Sequence, residues 1–335
     1  MIGGEFPIPV TDFLNANVNH SEVHDIYTYS SGRAAFYHIL KFLRKEKGVN
    51  HILLPDYLCS SILVPVRTLG LDYKFYPINE QLELELQSFS NLYKKGTAVL
   101  VINYFGLKDL TAQIQAIRSL DEHAVIIEDD VQAYYEFKKP LCNVDFKFTS
   151  LRKTFAIPDG GLVKTMYSLN QVDKPNIYGQ YKAAAGLLKS MREGNFNDQV
   201  YLELFEKGES QIDNELECGM SRIAEKLYSV VDEECVKIRR QNNARYLVNG
   251  LAQIGIKPIL PLAEDRVPLF VPILLENRDE VRRSFFQNGI FCPVHWPIDG
   301  MSVKRGTEMA ALELSLIIDQ RYTEREMDEI VRFFV

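Results

Sequence analysis

The segment Ser150-Leu151-Arg152-Lys153-Thr154-Phe155-Ala156-Ile157-Pro158-Asp159-Gly160-Gly161 places one lysine in a setting that suits amine chemistry. Ser150 precedes Lys153 at S-x-x-K spacing, and a Pro-Asp-Gly-Gly turn follows one short apolar run. A lysine drawn out of water loses its proton more readily and becomes a nucleophile toward an aldehyde. Pyridoxal phosphate is the aldehyde to weigh against this pattern. It needs an amine, donors for its phosphate and an acid that keeps its ring nitrogen protonated. The acid lies upstream, where Ala124-Val125-Ile126-Ile127 reads as a buried strand of a parallel sheet and runs into Glu128-Asp129-Asp130-Val131-Gln132-Ala133. A carboxylate at the carboxyl end of such a strand lies in the crevice where α/β sheets hold ligands. At about 4 Å from a pyridinium, Asp129 would contribute on the order of 4 kcal/mol at an effective dielectric of about 20, before desolvation is subtracted. Asp130 faces the other way, because neighbours on a strand alternate. The same acidic run is compatible with a metal-binding or solvated loop, and Lys153 alone with a solvated lysine.

Three further segments carry polar or aromatic groups. At Ser30-Ser31-Gly32-Arg33-Ala34, hydroxyls and a glycine stand at an expected helix N-terminus, a place that attracts phosphate and is equally an ordinary N-cap. Asn103-Tyr104-Phe105-Gly106 follows a strand toward the same sheet edge as Asp129, either lining the pocket or forming a turn with packed aromatics. Pro293-Val294-His295-Trp296-Pro297 holds the one tryptophan of the chain and reads as a substrate wall or as a core Trp beside a structural His.

Elements that position these residues follow from the apolar pattern. Short apolar strands alternate with amphipathic stretches through the first half, which predicts an α/β fold with a mainly parallel central sheet flanked by helices. Strands are expected at 52–54, 73–78, 98–103, 124–127, 146–149 and 161–164, with helices at 34–43, 60–69 and 110–119. From residue 200 the pattern turns helical, with a nearly unbroken helix expected over 221–251. After Gly255 a strand at 267–275, a helix at 278–287, a strand at 290–291 and a closing helix at 327–334 predict a smaller C-terminal α+β domain. The boundary is drawn between residues 1–225 and 226–335.

With 335 residues, the chain has the length of about two domains. A net charge of -7 supplies no basic footprint for nucleic acid or anionic lipid. The N-terminus lacks the features of a signal peptide, and no apolar run reaches the roughly 18 residues needed to span a bilayer. A cytoplasmic protein with small-molecule partners, without nucleic acid or membrane, is expected. Its five cysteines show no C-x-x-C pair, so no metal centre is expected. No G-x-G-x-x-G follows an early strand, which disfavours a nicotinamide enzyme.

Taken in order, Ser-Gly-Arg-Ala, Leu-Pro-Asp-Tyr-Leu-Cys, Asn-Tyr-Phe-Gly, Glu-Asp-x-x-Gln-Ala, Ser-Leu-Arg-Lys with Pro-Asp-Gly-Gly, and His-Trp-Pro resemble the DegT/StrS family of sugar aminotransferases. The closing stretch Leu314 to Tyr322 is similar to that family's C-terminal segment. The resemblance spans nearly the whole chain and implies the fold type I architecture of pyridoxal-phosphate enzymes, with a large cofactor-binding domain. It implies Lys153 as the catalytic lysine that carries the cofactor, Asp129 as the partner of the pyridine nitrogen and Gln132 as a contact to the ring. Ser150 and the Ser31-Gly32-Arg33 turn match phosphate contacts, and Asn103, Tyr104, His295 and Trp296 are the substrate-side candidates. It further implies a homodimer with the active site at the interface, glutamate as amino donor and a nucleotide-linked keto sugar as acceptor, for polysaccharide or secondary-metabolite biosynthesis. Rival readings are a sugar dehydratase of the same fold, whose members carry His at the lysine position, and a non-catalytic sensor or scaffold. The chain departs from the family where many members carry Thr after Ser-Gly and a ring-stacking aromatic. Arg33 and Cys59 stand at those places, which leaves Tyr57 as the aromatic candidate. Glu217 and Gly219 stand where the family has an Asn that often reaches the partner's phosphate and an Arg, and a carboxylate cannot donate there.

Overall fold

The computed structural model describes residues 1–11, 25–191, 198–296 and 303–334. Seven strands form the main sheet: β2 (Ile26–Tyr29), β3 (His51–Pro55), β4 (Asp72–Tyr76), β5 (Ala98–Ile102), β6 (Val125–Asp129), β7 (Phe146–Ser150) and β8 (Gly161–Thr165), in the spatial order β2-β8-β7-β6-β5-β3-β4. The run from β7 to β4 is parallel, whereas β8 is antiparallel to β7 and β2 to β8. All five residues of β5 are buried, as expected of a parallel strand covered on both faces. This is the expected mainly parallel α/β sheet. Its carboxyl ends bring Ile102, Asp129 and Ser150 to one edge.

The helix Gly32–Lys47 enters from Ser31, whose Oγ accepts from Ala34 N–H at 3.1 Å, and ends at Gly48 in the left-handed region. One face packs on β7 and β8 through Ala35, Phe36, Ile39 and Leu40, all fully buried. The expected single helix over 221–251 is instead two, Arg222–Ser229 and Glu233–Gln253. Ser221 and Asp232 each cap one of them, Asp232 by accepting from Cys235 N–H at 2.9 Å. An Asp is worth more at an N-cap than inside a helix, so the chain breaks there.

A second core gathers Leu247, Val271, Phe285, Leu314 and Ile330 around the helix Glu233–Gln253 and the antiparallel pair β9 (Phe270–Leu274) and β11 (Glu313–Ile317). Ile2 belongs to this core too, because β1 (Ile2–Gly3) pairs in parallel with β10 (Ile290–Phe291). Thr323 and Glu326 form a capping box at the start of the closing helix Glu324–Arg332. Residues Tyr178–Ser190 form a further helix, and 192–197 lie outside the described residues. Among the described residues no helix is long and apolar enough to cross a membrane.

The Pro-Asp-Gly-Gly turn returns the chain from the lysine segment into β8. A Cβ on Gly161 would lie 2.0 Å from the Ser31 carbonyl oxygen, so β8 and the start of the Gly32 helix meet only because this residue is glycine. Gly161→Ala is expected to lower unfolding stability by about 1–3 kcal/mol through this overpacking, read as a lower urea midpoint. An unchanged midpoint would show that the two segments separate freely.

Candidate active site

A cavity of about 380 Å³ opens at the carboxyl ends of the parallel strands. Ser31, Gly32, Arg33, Asp129, Gln132, Ser150, Lys153, His295 and Trp296 all line it. These nine come from four separated segments. The fold therefore brings together most of the residues singled out in the sequence.

Lys153 lies on the short helix Leu151–Thr154 directly after β7. Its side chain opens to the cavity while protein surrounds its other sides. Its pKa is lowered from 10.5 by desolvation first and by the neighbouring Arg152 charge second. Both effects favour the free amine. Asp129, the last residue of β6, is buried and accepts from Val131 N–H at 2.9 Å through Oδ1. Burial pushes its carboxyl up to about 7, against the opposing Val131 N–H. Glu128 and Asp130 project to the other side of the sheet, where Lys147 stands 3.3 Å and 3.9 Å from them. The acidic run is thus divided by strand alternation, and only Asp129 lines the cavity.

The opposite polar end of the site is built from hydroxyls and backbone. Ser31 uses Oγ as the helix cap acceptor, which leaves its proton for another partner. Ser150 Oγ makes no hydrogen bond among the described residues. The first-turn N–H groups of the Gly32–Lys47 helix have no intrahelical partners, and the helix dipole adds positive potential there. A Cβ on Gly32 would stand 3.2 Å from Ser150 Cβ and 3.3 Å from Val131 Cγ2, so the glycine keeps a narrow cradle open. The Arg33 guanidinium is engaged by Asp213 at 2.6 Å and Glu209 at 3.6 Å. Gln132 holds Phe105 N–H through Oε1 at 2.9 Å, which anchors its amide at the cavity wall.

Tyr57, Asn103 and Tyr104 do not line this cavity. Tyr57 is fully buried, donates to the His295 carbonyl at 2.6 Å, stacks on Tyr104 at 5.5 Å and lies 4.9 Å from Trp296. Tyr104 in turn donates to the Tyr57 carbonyl at 2.5 Å. The pair therefore supports Trp296 from behind. Asn103 lines a separate crevice of about 300 Å³ with Glu128 and Lys147. Cys59 does line the cavity, and its Sγ accepts from Ser61 Oγ at 3.0 Å. Glu217 is occupied on the outer face of the Gly32 helix, accepting from Tyr37 at 2.9 Å and pairing with Lys41. Gly219 is fixed by backbone bonds, its N–H to Lys174 O and its carbonyl to Asn176 Nδ2, each at 2.8 Å.

Two charged residues at the cavity escaped the sequence reading of the site. Glu209 stands 3.2 Å from Arg152 and 2.9 Å from Lys182. Burial alone would raise its pKa, but Arg152, Lys182 and Arg33 hold it far below the usual carboxylate range. Arg152 adjoins Lys153, a signal that was available. Glu209 comes from the helix Asp198–Gln211, which carries no local mark of a site.

No protein-family model matches the chain, and no curated protein matches it. Solved structures do. Spr1654 from Streptococcus pneumoniae in its PMP form superposes with a TM-score of 0.72 at 13% identity, covering 99% of this chain and 98% of that one. The sugar aminotransferase CalS13 from Micromonospora echinospora gives 0.66 at 17% identity, with 99% of both chains covered. NtdA from Bacillus subtilis with bound cofactor PMP gives 0.60 at 17% identity, covering 93% and 74%. The chain has the fold of these proteins. The likeness extends end to end, including the smaller C-terminal α+β part that supplies His295 and Trp296.

The buried state of Asp129 has a measurable consequence. Its folded pKa of about 7 lies above the ordinary aspartate value of 3.8, so between these values the folded ligand-free protein retains a proton that the unfolded chain has released. Stability contributed by the protonated form is thus present at low pH and lost as pH rises through about 7. Asp129→Asn removes this loss. The ligand-free variant is expected to gain on the wild type by up to about 4 kcal/mol from acid to mildly alkaline pH, measured by urea unfolding across the range. Parallel stability curves would contradict the assignment.

Proposed function

We propose that the chain is a pyridoxal-phosphate-dependent aminotransferase that moves an amino group from glutamate to a keto sugar, with a nucleotide-linked sugar as the acceptor class. The observation that carries this reading is the convergence of Lys153, Asp129 and the Ser31–Gly32–Ser150 cradle on the walls of one cavity. Those residues fit the cofactor. A buried acid with one backbone donor suits a ring nitrogen that must stay protonated. The cradle offers hydroxyls and helix N–H groups to a phosphate, and the glycine keeps it open. When bound, the cofactor supplies an electron sink for the carbon next to the amine.

Each residue then has a defined task. Lys153 holds the cofactor through Nζ and, once released, takes a proton from the α-carbon of the amino donor and later returns one to the carbon of the acceptor that gains the amine. Its lowered pKa favours the free amine that both duties need. Asp129 keeps the proton on the ring nitrogen. Ser31, Ser150 and the helix start would hold the phosphate and Gln132 would contact the ring, while Phe270, His295 and Trp296 line the wall toward the C-terminal part. The keto-sugar acceptor accords with the likeness to CalS13, and the presence of Lys153 favours transamination over dehydration. A homodimer with the active site at the interface and a cytoplasmic location, in polysaccharide or secondary-metabolite biosynthesis, complete the reading.

Added pyridoxal phosphate is expected to give an absorbance band near the visible edge that Lys153→Ala abolishes while folding is retained. Glutamate should then convert the wild-type spectrum to that of the pyridoxamine form. A spectrum that glutamate leaves unchanged would favour a non-catalytic scaffold, and a band that persists in the variant would place the attachment elsewhere.

A further inference from the structure

Beside the cavity lies a buried chain of polar groups with no part in cofactor binding. Glu313 and Ser315 are two apart on β11 and so share a face of that strand. Both are fully buried. Glu313 accepts on both oxygens, from His295 N–H at Oε2 and from the Ser315 hydroxyl at Oε1, each at 2.5 Å. Ser315 Oγ also lies 2.9 Å from His295 Nδ1. A hydroxyl has one proton, and here it is committed to the carboxylate, which can only accept. Toward His295 the serine oxygen is therefore an acceptor, and Nδ1 must carry a proton. In the neutral imidazole Nε2 is then left with a lone pair. It makes no hydrogen bond among the described residues, and His295 lines the Lys153 cavity. Phe105, Phe270 and Trp296 surround the ring at centroid distances of 5.6, 5.2 and 5.2 Å, so its orientation is fixed by packing as well.

We infer that Ser315 and Glu313 are positioning residues for substrate selection: they hold His295 as the Nδ1–H tautomer, so that Nε2 presents a hydrogen-bond acceptor to a hydroxyl of the acceptor substrate. The inference rests on the aminotransferase reading for the identity of that substrate, whereas the relay stands on the contacts alone. A site that pairs a substrate hydroxyl discriminates against an analogue lacking it, because a group of the site is then left unpaired. The chemistry selected is a polyhydroxylated acceptor such as a sugar.

Glu313→Gln reverses the relay while keeping the side-chain shape. His295 N–H requires an acceptor, so the amide oxygen takes that bond and the amide NH₂ turns to Ser315. The serine must then donate to Nδ1, and the imidazole proton moves to Nε2. In ¹⁵N-histidine NMR, with the His295 signals assigned by loss in His295→Gln, the wild type is expected to show the Nδ1–H form and E313Q the Nε2–H form. In kinetics, E313Q is expected to raise KM for the keto-sugar nucleotide about tenfold, the effect of one hydrogen bond. The glutamate half-reaction, read from the cofactor spectrum, should stay within about twofold of wild type, because that step does not use His295 Nε2. Ser315→Ala leaves the tautomer unfixed, and a smaller rise is expected. A tautomer that is the same in both proteins, or one that switches without moving KM, overturns the inference. A wild-type protein that fails the glutamate half-reaction overturns the aminotransferase reading instead, and the NMR comparison still decides the relay.

Discussion

A carboxylate held out of water with a single backbone N–H for company is the constraint on which the site depends. Asp129 ends β6 at the floor of the cavity and has no ion pair among the described residues. Burial pushes its proton affinity up to about 7. Desolvation is uncompensated here, and a cationic ring nitrogen would supply the compensation. On Lys153, which opens to the cavity, desolvation and the adjoining Arg152 charge act in the opposite sense and favour the amine over the ammonium form. One environment thus prepares an acid and an amine for complementary duties.

The fold meets that constraint by topology. Parallel strands β5, β6 and β7 end at one edge, and the helix that follows β2 presents its N-terminus to the same place. Close backbone approach at Gly161 and Gly32 lets the helix start, the lysine segment and the acid share a small volume. The C-terminal part closes the remaining side through His295 and Trp296, held from behind by Tyr57 and Tyr104. Glu209, pinned by Arg33, Arg152 and Lys182, balances a mouth that would otherwise be strongly cationic.

Strands of the main sheet were readable because a strand covered on both faces is a continuous apolar run, as Ala98–Ile102 shows. The edge strand Ile26–Tyr29 was not, since it is four residues long and half polar. Nor was the helix Tyr178–Ser190, whose run of alanines and glycine gives little amphipathic contrast. At the site, sequence position told which sheet edge a residue reaches but not which face. Ile102 and Asp129 line the cavity while Asn103 and Glu128 line the crevice behind the sheet. The same limit separated Cys59, on the wall, from Tyr57, behind it. Glu313 and Ser315 were missed because buried polar residues contradict the apolar pattern of a core strand, and such local contradictions concentrate where a protein does its chemistry.

Covalent trapping tests the central claim most directly. The protein loaded with pyridoxal phosphate is reduced with borohydride, digested and sequenced by mass spectrometry. The account predicts one modified peptide, with the phosphopyridoxyl mass on Lys153. A label on another lysine, or none, would contradict it.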